Sequence, residues 1–329
     1  MTALSSAVLA LDCDAEVARV VARLREIVGG QYRRHGVIVA VSGGVDSSVC
    51  AALAARAFGP EKVYALLLPE RESSPASLTL GLDVVRSLGL RHEIESIGPA
   101  LEALGCYRRR DEAIRRVFPD YGEGWKNKLT IAKQAGGALS FFRLVVEDPD
   151  GVQRSARLPA AEYLQIVAAT NFKQRLRKTL EYYHADRLHY AVLGTPNRLE
   201  YDQGFFVKNG DGAADVKPIA HLYKTQVYAL ARHLDLPEAV CTARPTTDTY
   251  TLEQGQDEFY FALPFDQMDL ALWGRNHGVA PAEAAGALGL TVAQATAVWA
   301  DIDAKRRATA YLHARPALIE PLSEVGDSP

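Results

Sequence analysis

The chain has 329 residues, of which 48% are apolar and 23% are charged, a balance typical of globular proteins with a substantial core. Its 37 basic and 40 acidic residues give a formal net charge of −3, which argues against a nucleic-acid binder. Four cysteines without paired spacing, no apolar stretch near the roughly 20 residues of a membrane helix, and no secretory signal pattern favour a cytoplasmic protein.

Strand and helix patterns alternate along the first hundred residues. A helical pattern covers 14–30. The segments that follow predict strand 37–41, helix 47–58, strand 63–69, helix 75–88 and strand 91–97. The strands are continuous apolar runs or alternate with period two, and the first two are expected to be buried on both faces. This order favours a parallel sheet with right-handed crossovers.

The segment 105–160 has a different character. It begins with an arginine run at 108–110, which predicts a solvated face. The stretch FFRLVVEDPDGVQRSARL at 141–158 predicts two strands around a turn at 148–151. We therefore interpret the segment as an insertion that contains a β-hairpin.

The second half returns to helices and strands. The pattern predicts helix 160–186, strand 190–195, a loop at 200–218, helix 221–234, a polar loop at 243–258, and two or three helices up to about 312. The tail 317–329 is expected to be flexible. Residues 1–329 are thus predicted to form a single α/β domain with a central parallel sheet.

A serine- and glycine-rich loop separates the first buried strand from its helix. Its residues are Ser42, Gly43, Gly44, Val45, Asp46, Ser47 and Ser48. Backbone N–H groups at such a turn, together with the helix dipole, form an anion site, and the glycines allow close approach. Asp46 suits a phosphate site only if Mg²⁺ lies between the two anions. The alternative is an ordinary turn with Asp46 or Ser47 as the helix N-cap.

This loop resembles the pyrophosphate-binding loop of the N-type ATP pyrophosphatases. The second half is similar to NAD synthetases within that superfamily, through the segments 171–177, 194–200, 204–215, 222–224, 245–248 and 257–269. The resemblance implies a three-layer α/β/α fold of the adenine nucleotide α-hydrolase type. It also implies an amide ligase that adenylates deamido-NAD, releases pyrophosphate and lets ammonia attack.

The resemblance also implies roles for individual residues. Asp46, Lys224 and Thr246 are the expected catalytic residues, and Asp46 and Glu200 the expected Mg²⁺ ligands. ATP is expected to contact residues 42–48 and Arg175, Thr195, Lys224 and Thr246. The acid substrate is expected to contact Asn171, Phe205, Lys208, Asp211, Asp215, Asp257 and Glu258.

Three departures from the family pattern leave alternatives open. The segment 105–160 is longer than the family's connection there, and Pro196 and Asn197 replace the usual Asp-His pair. The sequence contains no glutaminase half, so nitrogen should come from free ammonia or from a separate glutaminase. The chain could therefore amidate a different carboxylate, or be a nucleotide-binding regulatory protein without turnover. The resemblance further implies a homodimer.

Overall fold

The structure is a computed structural model that describes residues 4–133, 140–244, 250–252, 255, 260–261, 263–320 and 322. A π-helical segment, Arg25–Gln31, continues the first helix. In chain order the helices and strands are α1 (Cys13–Leu24), β1 (Val37–Ala40), α2 (Val45–Phe58), β2 (Val63–Leu67), α3 (Pro75–Ser87), β3 (Arg91–Ile94), α4 (Gly98–Ala103), α5 (Cys106–Arg115), β4 (Lys126–Lys133), β5 (Ser140–Glu147), β6 (Gln153–Arg157), α6 (Ala160–Leu188), β7 (Ala191–Val192), α7 (Arg198–Gln203), α8 (Lys224–His233), α9 (Glu238–Thr242), α10 (Phe265–Asn276), α11 (Pro281–Leu288) and α12 (Val292–His313).

The central sheet has four parallel strands in the order β3-β2-β1-β7. Val37 and Val39 on β1 pack on one side of this sheet with residues of α1, α2 and α8. Ile38 and Leu66 point to the other side and pack with residues of α4, α5 and α6. Because both faces are covered, β1 and β2 read as continuous apolar runs. The predicted three-layer α/β/α architecture is confirmed.

The inserted segment is larger than the predicted hairpin. Strands β5 and β6 pair antiparallel around the predicted turn, and β4 adds a third antiparallel strand on the other side of β5. Leu129 and Leu144, which face each other across β4 and β5, are fully buried against α5 and α6. The alternation of Leu129 and Ile131 with the polar residues Lys128 and Thr130 is the sequence pattern that indicates β4.

Other expectations also need correction. The predicted loop 200–218 begins with α7, because Asn197 caps that helix. The arginine run 108–110 was expected to be solvated, but Arg110 is buried and pairs with Glu72, while Arg108 and Arg109 are exposed. The helices α4 and α5 were not predicted. The polar loop 243–258 and the tail 317–329 fall largely outside the described residues. Among the residues described, no helix combines the length and apolar character needed to cross a membrane.

Candidate active site

The candidate site lies at the carboxyl end of β1, where the order in which the chain adds strands to the sheet reverses. Strand β1 lies between β2 and β7, so the chain reaches the neighbours of β1 by connections that leave on opposite sides. The carboxyl ends of parallel strands at such a switch point leave a crevice that typically binds ligands. The loop 42–48 follows β1, and Thr195 and Glu200 follow β7. The topology therefore brings together two segments separated by about 150 residues, as the 151-residue separation of Asn197 and Asp46 illustrates.

The loop after β1 is held in a tight turn. Gly43 has a φ of 85°, and a Cβ there would lie 2.5 Å from the carbonyl oxygen of Ser77 on α3. The Ser47 hydroxyl accepts from the Ser42 backbone N–H at 3.2 Å and donates to the Gly44 carbonyl. In the described part of the chain no side chain caps the N-terminus of α2. The N–H groups of its first turn are therefore available to an anion.

Charged side chains gather beside this loop. The ammonium of Lys224, which is 2% exposed, forms an ion pair with the Oδ2 of Asp46. The other carboxylate oxygen of Asp46 accepts from the Nδ2 of Asn197 at 3.1 Å. The backbone N–H of Asn197 donates to the Oε2 of Glu200 at 3.1 Å. Asn197 therefore holds both predicted metal-binding carboxylates in place, a role that the sequence did not reveal.

The electrostatics of this centre favour an added cation. Burial, and after it the neighbouring Asp46 carboxylate, raise the pKa of Glu200 to about 7, although Lys224 acts in the opposite direction. Burial alone would lower the pKa of Lys224, but the carboxylates of Asp46 and Glu200 outweigh it and raise that pKa. One lysine therefore does not neutralise two carboxylates, and a divalent ion next to them would relieve their repulsion.

The backbone of Lys224 is fixed by a buried carboxylate. Asp269 on α10 is fully buried, and its two oxygens accept from the backbone N–H groups of Lys224 at 3.1 Å and Thr225 at 2.7 Å. It thus caps the start of α8 from another helix. Burial raises the pKa of Asp269 to about 6, although these hydrogen bonds act to lower it. Asp269 is the second site residue that the sequence did not identify.

Most of the predicted site residues line one cavity of about 1060 Å³. They are Ser42, Gly43, Gly44, Val45, Asp46, Ser47, Asn171, Arg175, Thr195, Glu200, Phe205, Lys208, Asp211 and Lys224. Ser48 is buried and donates its hydroxyl to the Gly44 carbonyl instead. Asp215 is exposed, and it accepts from the backbone N–H of Val192 at 2.7 Å and so fixes the end of β7. Thr246, Asp257 and Glu258 lie outside the described residues.

The part of the cavity that the family resemblance assigns to the acid substrate contains aromatic rings and charged side chains. Phe205 stacks on Tyr260, with ring centroids 4.6 Å apart. Asp211 accepts from the backbone N–H of Val207 at 2.8 Å, and burial raises its pKa despite that bond. Lys208 donates to the carbonyls of Tyr311 and Ala314 at the end of α12. These hydrogen bonds attach the glycine-rich loop to the carboxyl end of the last helix.

A pH-dependent stability follows from the half-buried Glu200. Its folded pKa of about 7 lies above its ordinary value of 4.5, so its contribution to stability is present below pH 4.5 and is lost as pH rises through 7. We expect Glu200→Gln to differ from the wild type by less than about 1 kcal/mol at pH 5 and, at pH 8 without nucleotide or metal, to be more stable by about 1–3 kcal/mol.

Guanidinium denaturation at the two pH values measures this difference. The same change at the exposed carboxylate Glu123 serves as the control and should alter neither value. A Glu200→Gln protein that is equally destabilised at both pH values would contradict the assigned environment of Glu200.

Comparison with known proteins gives a consistent result. The sequence profile of the NAD synthase family matches residues 16–116 and 147–307 and leaves 117–146, most of β4 and β5, unmatched. The NH3-dependent NAD(+) synthetase of Mesorhizobium japonicum is 60% identical over 317 residues, covering 96% of this chain and 99% of that protein. The enzyme of the same name from Rhizobium meliloti is 56% identical, with coverages of 98% and 96%. That of Thermotoga maritima is 36% identical over 74% of this chain and 80% of that protein.

Solved structures show the same fold. The NH3-dependent NAD synthetase of Campylobacter jejuni superposes with a TM-score of 0.63 at 22% identity, covering 94% of this chain and all of that one. The NMN synthetase of Francisella tularensis also gives a TM-score of 0.63, at 21% identity, with coverages of 95% and 100%. Because these identities are low, the two structures support the architecture of the chain rather than its substrate.

Proposed function

The chain belongs to the NAD synthase family, and we propose that it is an ammonia-dependent ligase that converts deamido-NAD to NAD at the expense of ATP. The carboxylate of deamido-NAD attacks the α-phosphate of ATP, pyrophosphate leaves, and ammonia displaces AMP from the acyl-adenylate. The observation that carries this proposal is the common cavity in which the serine- and glycine-rich loop meets Asp46, Glu200 and Lys224.

The protein's part in the first step is to hold phosphates and to neutralise charge. The first turn of α2 and the exposed Ser42 hydroxyl of the loop cradle the outer phosphates. Lys224, buried and fixed by Asp269, places a permanent positive charge where pyrophosphate departs. Because Lys224 is itself withdrawn from solvent, its charge stabilises the transition state more than the ground state as negative charge accumulates on the leaving oxygen.

The two carboxylates fit Mg²⁺. Among the described residues, no group of three or more His, Cys, Asp and Glu side chains could hold a metal ion. Mg²⁺ is nevertheless commonly bound through one or two carboxylates together with substrate phosphates. Asp46 and Glu200 supply these carboxylates, and the pKa of Glu200 is raised first by burial and then by the negative charge of Asp46. When bound, Mg²⁺ would neutralise the phosphates. Asn197 would keep both carboxylates aimed at it.

The second step needs a nucleophile and the exclusion of water. Asp211, half-buried in the wall of the cavity, is suited to attract an ammonium ion or to orient ammonia. Phe205 and Tyr260, which line the same cavity, supply an apolar surface that limits hydrolysis of the adenylate. Ammonia loses a proton only after it has bonded to carbon, so positioning contributes more here than a dedicated base.

Assembly and location complete the proposal. We expect a homodimer, and the exposed apolar side chains Leu164 and Tyr183 on α6, 64% and 59% exposed, offer contact surface. We expect the protein to work in the cytoplasm, and the free thiols of Cys13, Cys50, Cys106 and Cys241 agree with a reducing compartment.

The products of a single assay test the proposed reaction. We expect one AMP, one pyrophosphate and one NAD for each ATP consumed, with turnover only when ATP, deamido-NAD and ammonium are all present. Chromatography of the nucleotides with a coupled pyrophosphate assay measures all three. Formation of ADP and orthophosphate would contradict an adenylate. Adenylation of other carboxylates at higher kcat/KM than deamido-NAD would overturn the assigned substrate.

A further inference from the structure

One end of the buried face of the inserted sheet lines the active-site cavity. Side chains alternate along a strand, so Leu129 and Ile131 lie on the same face of β4. Across the antiparallel pair, Leu129 is opposite Leu144, and Ile131 is opposite Phe142. The first pair is fully buried against α5 and α6, whereas Ile131 and Phe142 are partly exposed and line the cavity. One apolar row therefore begins in the core and ends in the wall of the site.

This end of the sheet is held rigidly. The ring of Phe142 stacks on Tyr163 of α6, with centroids 3.9 Å apart and planes 17° from parallel. The Phe142 carbonyl accepts from the backbone N–H of Leu158 at 2.9 Å. At the start of β4, away from Ile131, the backbone N–H of Asn127 donates to the Thr251 hydroxyl at 2.6 Å, which ties this strand to the segment 250–252. Ile131, Phe142 and Tyr163, which we call the apolar wall, are thus preformed.

Helix α6 sets the distance between the apolar wall and the reaction centre. Its residues Tyr163, Val167, Asn171, Gln174 and Lys178 all line the cavity, at spacings of three or four residues. At 1.5 Å per residue, Tyr163 and Lys178 are about 22 Å apart along the axis. Lys178 lies at the reaction end, because its neighbour Arg177 donates to the carbonyl of Leu68 just after β2, and Arg175 donates to the carbonyl of Lys208 in the glycine-rich loop at 3.3 Å. A ligand that reaches from the centre toward the apolar wall must be long.

ATP has a different apolar surface close to its phosphate loop. Leu68, Leu78 and Leu80 line the cavity there, and a Cβ at Gly43 would lie 2.9 Å from the Cβ of Leu80. Arg177 at the reaction end of α6 donates to the carbonyl of Leu68 at 3.2 Å. The base of ATP can therefore be covered without reaching Phe142. The apolar wall is left for the second substrate.

We propose that the apolar wall of the inserted sheet binds the adenine ring of the dinucleotide acid and so determines acid affinity. This inference rests on the proposed function, because the pyridine of deamido-NAD carries the reacting carboxylate and must lie at the reaction centre, which leaves the adenine as the ring that reaches the wall. A flat ring placed against Phe142 and Ile131 exchanges water for apolar contact on its faces. The residues 117–146 that lie outside the family match thereby acquire a role in this protein's substrate binding.

Kinetics of Phe142→Ala test the inference. Loss of a ring contact of this kind costs a base about 1–3 kcal/mol, so we expect the KM for deamido-NAD to rise about tenfold or more. The KM for ATP and the kcat should stay within about twofold, because the wall touches neither ATP nor the reacting atoms. Phe142→Tyr should restore most of the affinity for deamido-NAD.

The control and a truncated acid make the result decisive. Val145→Ala changes the opposite face of β5 and should leave all constants unchanged. Nicotinate mononucleotide lacks the adenosine. Phe142→Ala should therefore leave the KM for this acid unchanged, and an equal loss with it would place the pyridine at the wall and overturn the inference. An unchanged KM for deamido-NAD in folded Phe142→Ala, or a rise in the KM for ATP alone, overturns the inference. If the wild type does not amidate deamido-NAD at all, the proposed function fails instead.

Discussion

Lys224→Met is expected to reduce the kcat for NAD formation by about a thousandfold, while the KM for ATP rises by about tenfold or less. Lys224 is 2% exposed and pairs with Asp46 beside the phosphate loop. Its charge matters most when pyrophosphate leaves, because the departing group gains negative charge beside an ammonium that is itself withdrawn from solvent. Methionine keeps the length of the side chain and removes only the charge. Steady-state pyrophosphate release measures both constants.

A matched variant separates this effect from general charge loss. Lys62→Met removes an exposed lysine at the start of β2 and should leave kcat unchanged. Lys224→Met also leaves the half-buried carboxylates of Asp46 and Glu200 without their partner, so some loss of stability is expected. Kinetics should therefore be measured below the unfolding transition, with the folded fraction known. A folded Lys224→Met enzyme whose kcat lies within tenfold of the wild type would remove Lys224 from the chemistry.

Local signals in the sequence were sufficient for the central sheet and for the loop that follows its first strand. The run VIVAV and the loop that follows it encode a buried strand and a tight turn within a dozen residues, and both occur as predicted. Gly43 is needed where φ is positive and where α3 approaches closely. The parallel order of strands then brings Glu200 toward Asp46, because carboxyl ends of neighbouring strands share one edge.

The residues that the sequence did not reveal act through distant partners. Asn197 bonds to Asp46 across 151 residues of chain, and Asp269 caps α8 from 45 residues away. Each is an unremarkable polar residue in its own segment, and only the tertiary contact gives it a role. Arg110 was assigned to solvent for the same reason, since its partner Glu72 lies in the loop after β2. Burial of such a charge is favourable only when a partner is present.

Asp46→Asn provides the complementary prediction, in which turnover falls far more than stability. Asparagine has nearly the same shape, and its Oδ1 can still accept from Lys224 or Asn197. We therefore expect the free energy of unfolding to fall by only about 1–2 kcal/mol, the cost of weakening one charge-assisted hydrogen bond. We expect kcat to fall at least a thousandfold, roughly 4 kcal/mol, because the amide no longer supplies an anionic oxygen for Mg²⁺.

A readout other than activity decides whether Asp46 holds the metal. With ATP present, Mg²⁺ should raise the melting temperature of the wild type, since a ligand that binds only the folded protein stabilises it. Asp46→Asn should lose most of that increment yet retain the smaller effect of ATP without metal. Asp83→Asn, an exposed carboxylate on α3, should behave as the wild type in both assays. A full Mg²⁺-dependent increment in Asp46→Asn, or wild-type turnover in its folded fraction, would show that the carboxylate of Asp46 serves the loop rather than the metal.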